Sequence, residues 1–209
     1  MKMLELYCGT KSVSKAFERI GWEIYTVDWN PDFNPSLCAD ISTLTYDDII
    51  ALCKGEPNVI WVSPDCTTYS ISAISTHRDY ADGLYLPKSE YARFCDKANR
   101  HVADLLKRFP NAYVFIENPR GVMRKMDFWK YPRYTVTYCQ YGDIRQKPTD
   151  IWTNHPDPAF KPMCKPGDKC HQSAPRGAKT GTQGLGKVDK SRIPTALCNH
   201  IAIICLEKK

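Results

Sequence analysis

"NVIWVSPDCTTYS", residues 58–70, decides how this chain is read. Val59, Ile60, Trp61 and Val62 follow one another with no polar residue between them. A strand with one wet face would alternate. An unbroken apolar run predicts a strand covered on both faces, as in a parallel sheet packed between helices. The run ends in Ser63, Pro64, Asp65 and Cys66, followed by hydroxyl residues. A core cysteine would sit inside the run. One placed just past its end, beside polar groups, is a candidate nucleophile, since a loop near basic residues is where a thiol pKa of about 8.5 can fall.

Outward from this strand, the pattern alternates. "KMLELY" (2–7) predicts a first strand and "CGTKS" a turn. "VSKAFERIG" shows helical spacing up to Gly21. "WEIYTVDWN" (22–30) and "SLCADI" (36–41) predict two more strands, and "YDDIIALCKG" (46–55) a short helix. Residues 63–86 read as a long irregular loop, a length that in a compact domain points to function. A long helix (88–109) and a buried strand, "AYVFIEN" (112–118), follow. "YTVTYCQYG" and "TDIWTN" are further strand candidates, and residues 191–209 predict a helix that docks back. The expected fold class is α/β, a predominantly parallel, doubly wound sheet of Rossmann-like type with a small Pro/Gly/Lys-rich insert. Ligands of such sheets bind at the carboxyl ends of the strands. Gly9, Asp28, Asp40, Pro64–Cys66 and Glu117–Asn118 all fall at predicted ends.

The 209 residues suit one domain. The expected division is a cofactor-binding catalytic domain, 1–154 completed by 191–209, with a basic insert at 155–190. No run of about 20 apolar residues predicts a membrane span, and Glu5 interrupts the only apolar stretch near the start, which argues against a signal peptide. The expectation is a monomeric cytoplasmic protein, not secreted, from a bacterium or a phage-infected cell. Ten cysteines then read mostly as small buried hydrophobes. Residues 161–192 hold eight basic and two acidic residues, so they carry the whole net charge of +6. A neutral body with one basic segment suggests a polyanion partner, against the plainer reading of a solvated loop.

Several residues carry candidate chemistry. Asp28 at the end of the second strand is placed to accept two ribose hydroxyls. Trp29 offers a flat face, and Asp40 is one strand away. Taken singly, a capping aspartate or a core tryptophan is the commoner reading; together they favour an adenosine-containing cofactor. Glu117 ends a strongly apolar strand, where desolvation should raise its pKa and suit it to hold a proton near neutrality. Arg145 and Lys147 stand two apart on what reads as an extended segment, so they would share one face. Cys164, Cys170, His171, Cys198 and His200 are weighed as zinc ligands, but the wide Cys-x5-Cys spacing makes unligated cysteines the preferred reading.

In this order the motifs resemble the cytosine-carbon-5 DNA methyltransferase family: glycine turn, acid–Trp pair, Pro-x-Cys-x-x-x-Ser loop, Glu-Asn strand end, Arg-x-basic segment and returning terminus. The resemblance covers roughly 3–154 and 191–204. It implies an S-adenosylmethionine-dependent methyltransferase fold acting on double-stranded DNA, with the target base flipped out of the helix. It further implies that Cys66 attacks carbon 6 of cytosine, that Glu117 protonates ring nitrogen 3 while Asn118 positions the loop, and that Arg145, with Lys147, contacts the base. Leu6, Tyr7, Gly9, Asp28, Trp29, Asp40, Ile41 and Pro64 would hold the cofactor. Ser70, Arg120, Lys165, Lys169, Arg176 and Lys179 would touch nucleic acid. Three departures stand out. Asp65 and Thr67 replace a proline and a glutamine, Lys11 and Ser12 replace glycines, and Lys147 replaces an arginine. Asp65 should raise the Cys66 pKa. An insert of only about 36 residues implies short or relaxed sequence specificity. An RNA cytosine methyltransferase, a non-catalytic nucleic-acid or S-adenosylmethionine binder, and transfer of another group by the same addition are the alternatives.

Overall fold

The computed structural model describes residues 1–165, 167–172 and 185–206. The elements run β1 (Lys2–Leu6), α1 (Ser12–Glu18), β2 (Glu23–Asp28), β3 (Leu37–Cys38), α2 (Tyr46–Cys53), β4 (Val59–Val62), α3 (Ile74–His77), β5 (Arg78–Ala81), β6 (Leu84–Pro87), α4 (Glu90–Leu106), β7 (Tyr113–Pro119), β8 (Arg133–Thr137), β9 (Pro148–Thr153), α5 (Lys187–Ser191) and α6 (Thr195–Ile204). One seven-stranded sheet has the order β3-β2-β1-β4-β7-β9-β8. The strands from β3 to β7 pair in parallel, while β9 pairs antiparallel with both β7 and β8.

The apolar runs sort onto two faces, as the pleat demands. Leu4, Leu6, Ile60, Val62, Val114 and Ile116 pack with α2 and α4. Their neighbours in sequence, Met3, Val59, Trp61 and Phe115, pack with α1 and α6. The unbroken run 59–62 is thus a strand covered on both sides, and every residue of it is buried. The returning terminus docks as α6 against α1. Strand order reverses at β1, which has β2 on one side and β4 on the other. Crossovers leave that point in opposite directions, so a crevice opens at the carboxyl ends of β1 and β4.

Residues 63–86 differ from the expected irregular loop. They hold two 3-10 turns, the short α3 and the antiparallel β5–β6 hairpin. Asp82 and Gly83 both take positive φ in the hairpin turn, the arrangement an Asp-Gly pair favours. The segment is anchored by Arg78. Its guanidinium donates to the Thr68 carbonyl (2.7 Å), pairs with Asp96 of α4 (2.7 Å) and lies 4.3 Å from the Tyr69 ring centre. The Tyr69 hydroxyl donates to the same Asp96 (2.7 Å). The stretch just after Cys66 is therefore tied to the helix across the crevice.

Candidate active site

Two clefts open along the carboxyl edge, and both are lined by Tyr7 and Asp65. The first, of about 430 Å³, has Trp29, Asp40 and Ile41 from the β2 and β3 ends on one wall, and Tyr91, Phe94 and Cys95 of α4 on the other. Trp29 is 70% exposed, so its ring is available to a ligand. The second, of about 390 Å³, is lined by Gly9, Pro64, Cys66, Glu117 and Lys147, and is closed by Lys190, Ser191 and Ile193 of the returning chain.

Three chemical groups face the second cleft. Cys66 follows the end of β4, and Asn118 fixes its loop by donating from Nδ2 to the Pro64 carbonyl (3.0 Å). Cys66 is exposed as a residue, but its sulfur is enclosed. Burial, then Asp65 and Glu117, push the thiol up to about 11, while Lys147 pulls the other way. Glu117 is buried at the end of β7, and the Tyr138 hydroxyl donates to its Oε1 (2.9 Å). Burial raises its pKa, opposed by Lys147, Tyr138 and Ser63. Lys147, with a positive φ, is lowered by burial and held up by Glu117. Its Nζ donates to the Lys190 carbonyl (2.9 Å) and lies 4.6 Å from the Tyr138 ring centre.

Other expected residues lie differently. Leu6 is wholly buried in the core. Asp28 is buried behind the wall, because the turn at Gly9 (φ +41) aims its N–H at Asp28 Oδ2 (3.0 Å) and Asn30 N–H takes Oδ1 (3.0 Å). Its carboxylate sets the turn, and Asp40 and Asp65 are the acids that line the first cleft. Asp40 also caps a 3-10 turn through Ser42 N–H (2.9 Å). The start of α1 is occupied from within, since Ser14 donates its N–H and hydroxyl to Glu5, a carboxyl that burial pushes up to about 7. Residues 143–147 bend rather than extend. Arg145 is turned onto Asp143 (2.5 Å), and of the expected pair it is Lys147 that lines the cleft. Ser70 bonds Ser72 (2.9 Å), and Arg120, Lys165 and Lys169 are exposed. Arg176 and Lys179 lie outside the described residues. Cys198 is buried in α6, and His200 Nε2 meets the Pro158 carbonyl (2.8 Å), both apart from Cys164, Cys170 and His171.

Sequence reasoning missed Tyr138, Lys190, and the pair Tyr91 and Phe94. The last two were legible: exposed aromatics three apart at a helix start share a face, and here their rings stack at 6.4 Å. Tyr138 and Lys190 are local in no sense: the sheet brings Tyr138 to Glu117, and the returning chain at α5 brings the Lys190 carbonyl to Lys147.

The arrangement sets limits on its ligands. A thiol, a carboxyl whose pKa is raised by burial and a lysine converge on one cleft, and the adjoining cleft is acidic and aromatic. The second set suits a flat, positively charged ligand. No family model matches the chain. A viral protein, the "Probable DNA (cytosine-5)-methyltransferase" of Frog virus 3 (isolate Goorha), is 27% identical over 225 residues, covering 98% of this chain and 100% of that one. Among solved structures, an E. coli prophage protein read as a DNA modification methyltransferase matches at TM-score 0.52 with 13% identity over 73% of this chain. A methyltransferase of Entamoeba histolytica matches at 0.52 with 15% identity over 73%. The chain covers 46% and 52% of those two solved chains, about half their length.

Proposed function

We propose that this chain is a DNA (cytosine-5)-methyltransferase that uses Cys66 as its nucleophile. One observation carries the reading. Cys66, Glu117 and Lys147 line one cleft, and Tyr7 and Asp65 join it to a second whose walls suit S-adenosylmethionine. In that adjoining cleft, of about 430 Å³, Trp29 offers a face for the adenine, while Asp40, Asp65 and the aromatic rings favour a sulfonium charge.

Carbon 5 of cytosine is a poor nucleophile while the ring is aromatic. Cys66 gives up its thiol proton to solvent, with the charge of Lys147 favouring the thiolate; Sγ then forms a bond to carbon 6, and the displaced electrons reach nitrogen 3, where Glu117 delivers a proton. Lys147 replaces Arg145 as the group nearest the base, and its charge offsets the thiolate and the carboxylate. Asn118 holds the Pro64–Cys66 loop and Tyr138 orients Glu117, so attack geometry is set before the base arrives. S-adenosylmethionine supplies the electrophilic methyl group that the activated carbon 5 accepts. Loss of the carbon-5 proton to a water molecule, departure of Cys66 as the thiolate and return of the nitrogen-3 proton to Glu117 restore the ring. A cytosine stacked in a duplex cannot reach Cys66, so the nucleotide is flipped into the cleft.

We read the protein as a monomer acting on the duplex. Among the described residues no helix is long and apolar enough to cross a membrane. The ten free cysteines fit a reducing compartment, and we place the protein in the cytoplasm. The test is expression in a methylation-deficient bacterium with base-resolution mapping of 5-methylcytosine. New 5-methylcytosine in DNA with wild type, and none with Cys66→Ala, is expected. Methyl marks in transfer RNA alone would move the substrate to RNA, and their absence from both would overturn the reading.

A further inference from the structure

We infer that Cys139, Cys164, Cys170 and His171 form a structural zinc site that clamps the basic insert to the wall of the catalytic cleft. The four ligand atoms lie within 4.8 Å of one another. Cys139 Sγ is 3.2 Å from Cys164 Sγ and 3.5 Å from Cys170 Sγ, and His171 Nδ1 is 3.7 Å and 3.6 Å from the sulfurs of Cys164 and Cys170. Tetrahedral zinc with Zn–S near 2.3 Å and Zn–N near 2.0 Å sets sulfur–sulfur separations of about 3.8 Å and sulfur–nitrogen separations of about 3.5 Å, so the sulfur–nitrogen pairs already fit and both sulfur pairs have to open by about 0.3–0.6 Å. The set is Cys3His, all nitrogen and sulfur, which selects zinc over magnesium or calcium.

The surroundings fit a metal better than a cluster of thiols. A thiol is a weak donor and a weak acceptor, so three of them with an imidazole satisfy one another poorly. Two side-chain amides point at the sulfurs: Gln146 Nε2 lies 3.3 Å from Cys164 and Gln140 Nε2 3.7 Å from Cys170. Such donors stabilise metal-bound thiolates. On binding, each thiol loses its proton to solvent and a Zn–S bond forms in its place. Cys139 was invisible to spacing, because it precedes Cys164 by 25 residues and belongs to the turn after β8.

The site also has a structural task. Residues 155–165 and 167–172 contain no helix or strand. They are held by isolated bonds, such as Cys164 N–H to Thr137 Oγ1 (3.0 Å) and Gln172 N–H to the Ile144 carbonyl (2.8 Å). Phe160 packs against the core, and a metal gives the stretch beyond it a second fixed point. Cys139 adjoins Tyr138, which orients Glu117, and Gln146 stands between Arg145 and Lys147. The clamp therefore ties the insert to the residues around the cleft.

The test is metal content, which needs no methyl transfer. The full chain, purified without added metal or an affinity histidine tag, is analysed by elemental mass spectrometry. About one zinc per chain is expected, released by thiol modification. Cobalt substitution should give the visible absorption of a tetrahedral thiolate site. Cys170→Ala removes an exposed ligand and His171→Ala a second; each should lose bound zinc, while Cys38→Ala, away from the cluster, should keep it. Circular dichroism of the variants separates loss of metal from loss of fold, and for any variant that does not fold the wild-type cobalt spectrum decides. Zinc-free wild type, a Cys139–Cys164 disulfide in the non-reduced protein, or equal zinc in Cys170→Ala and wild type would each overturn the proposal.

Discussion

Cys66 starts as a weak nucleophile. Enclosure and the neighbouring charges of Asp65 and Glu117 hold its thiol at about 11, so at neutral pH it is protonated. The Asp65 side chain is pinned by Thr67 N–H (2.6 Å) and the Tyr91 hydroxyl (3.1 Å). Removing that negative charge makes the thiolate cheaper, so the pKa must fall. We expect Asp65→Asn to shift the pH midpoint of Cys66 alkylation downward, read by mass spectrometry of the modified peptide. An unmoved or raised midpoint would take Asp65 out of the control of this thiol. Glu117 works in the opposite protonation sense. Burial raises its carboxyl, so it keeps a proton further up the pH scale than an exposed glutamate, and activity that needs that proton is lost as pH rises through the raised value. Glu117→Gln keeps the shape without the acid, and general acid catalysis of this kind is worth about 100- to 10,000-fold in rate. A loss below about threefold in single-turnover assays would leave Glu117 a structural role only. These two residues were legible because each sits at the end of a recognisable apolar strand. Asp28 was legible as a strand end in the same way, but not that the Gly9 and Asn30 N–H groups would each meet one oxygen of its carboxylate.

At the scale of elements, the crevice is assembled from segments that touch only in three dimensions. The stretch after Cys66 runs so close to the end of β7 that a Cβ on Gly121 would lie 2.3 Å from the Tyr69 carbonyl oxygen. Tyr69 N–H in turn donates to the Cys66 carbonyl (3.1 Å), so displacing one displaces the other. Gly121→Ala is therefore expected to destabilise by about 1–3 kcal/mol, the usual cost of overpacking. It should also lower kcat more than it weakens cofactor binding. A variant with unchanged melting temperature and kcat would show that the contact gives freely. The parallel strands and α4 were readable from apolar runs and helical spacing. The β5–β6 hairpin was not read, although Asp82-Gly83 is a turn signal, because the flanking residues are largely exposed and lack a buried face. What orders this segment is Arg78 with Asp96, a pairing across 18 residues that no local pattern announces.

For the molecule as a whole, the net charge lies mostly away from the chemistry. Cys66, Glu117 and Lys147 line the cleft, while the +6 net charge resides in residues 161–192, of which Lys190 reaches the cleft wall. The described part of that stretch presents Lys165 and Lys169 to solvent, and such contacts position a protein on phosphates without reading sequence. Neutralising Lys165, Lys169 and Lys179 together should weaken binding to unrelated duplexes equally. It should also flatten the dependence of log affinity on log salt by about 0.9 per lost phosphate contact. An unchanged slope would remove the insert from the phosphate contact, and an altered methylation motif would show that it reads bases. The central claim, however, rests on one bond, between Cys66 and carbon 6 of cytosine. Duplex DNA with 5-fluorocytosine at the target position tests it directly, because fluorine at carbon 5 cannot leave as a cation and the adduct cannot collapse. With S-adenosylmethionine present, wild type should form a protein–DNA complex that survives denaturation, and peptide mass spectrometry should place the link at Cys66. Cys66→Ala should form none. A denaturation-stable complex with the Ala variant, or a wild type that methylates cytosine yet leaves no adduct on the fluorinated duplex, would contradict the account.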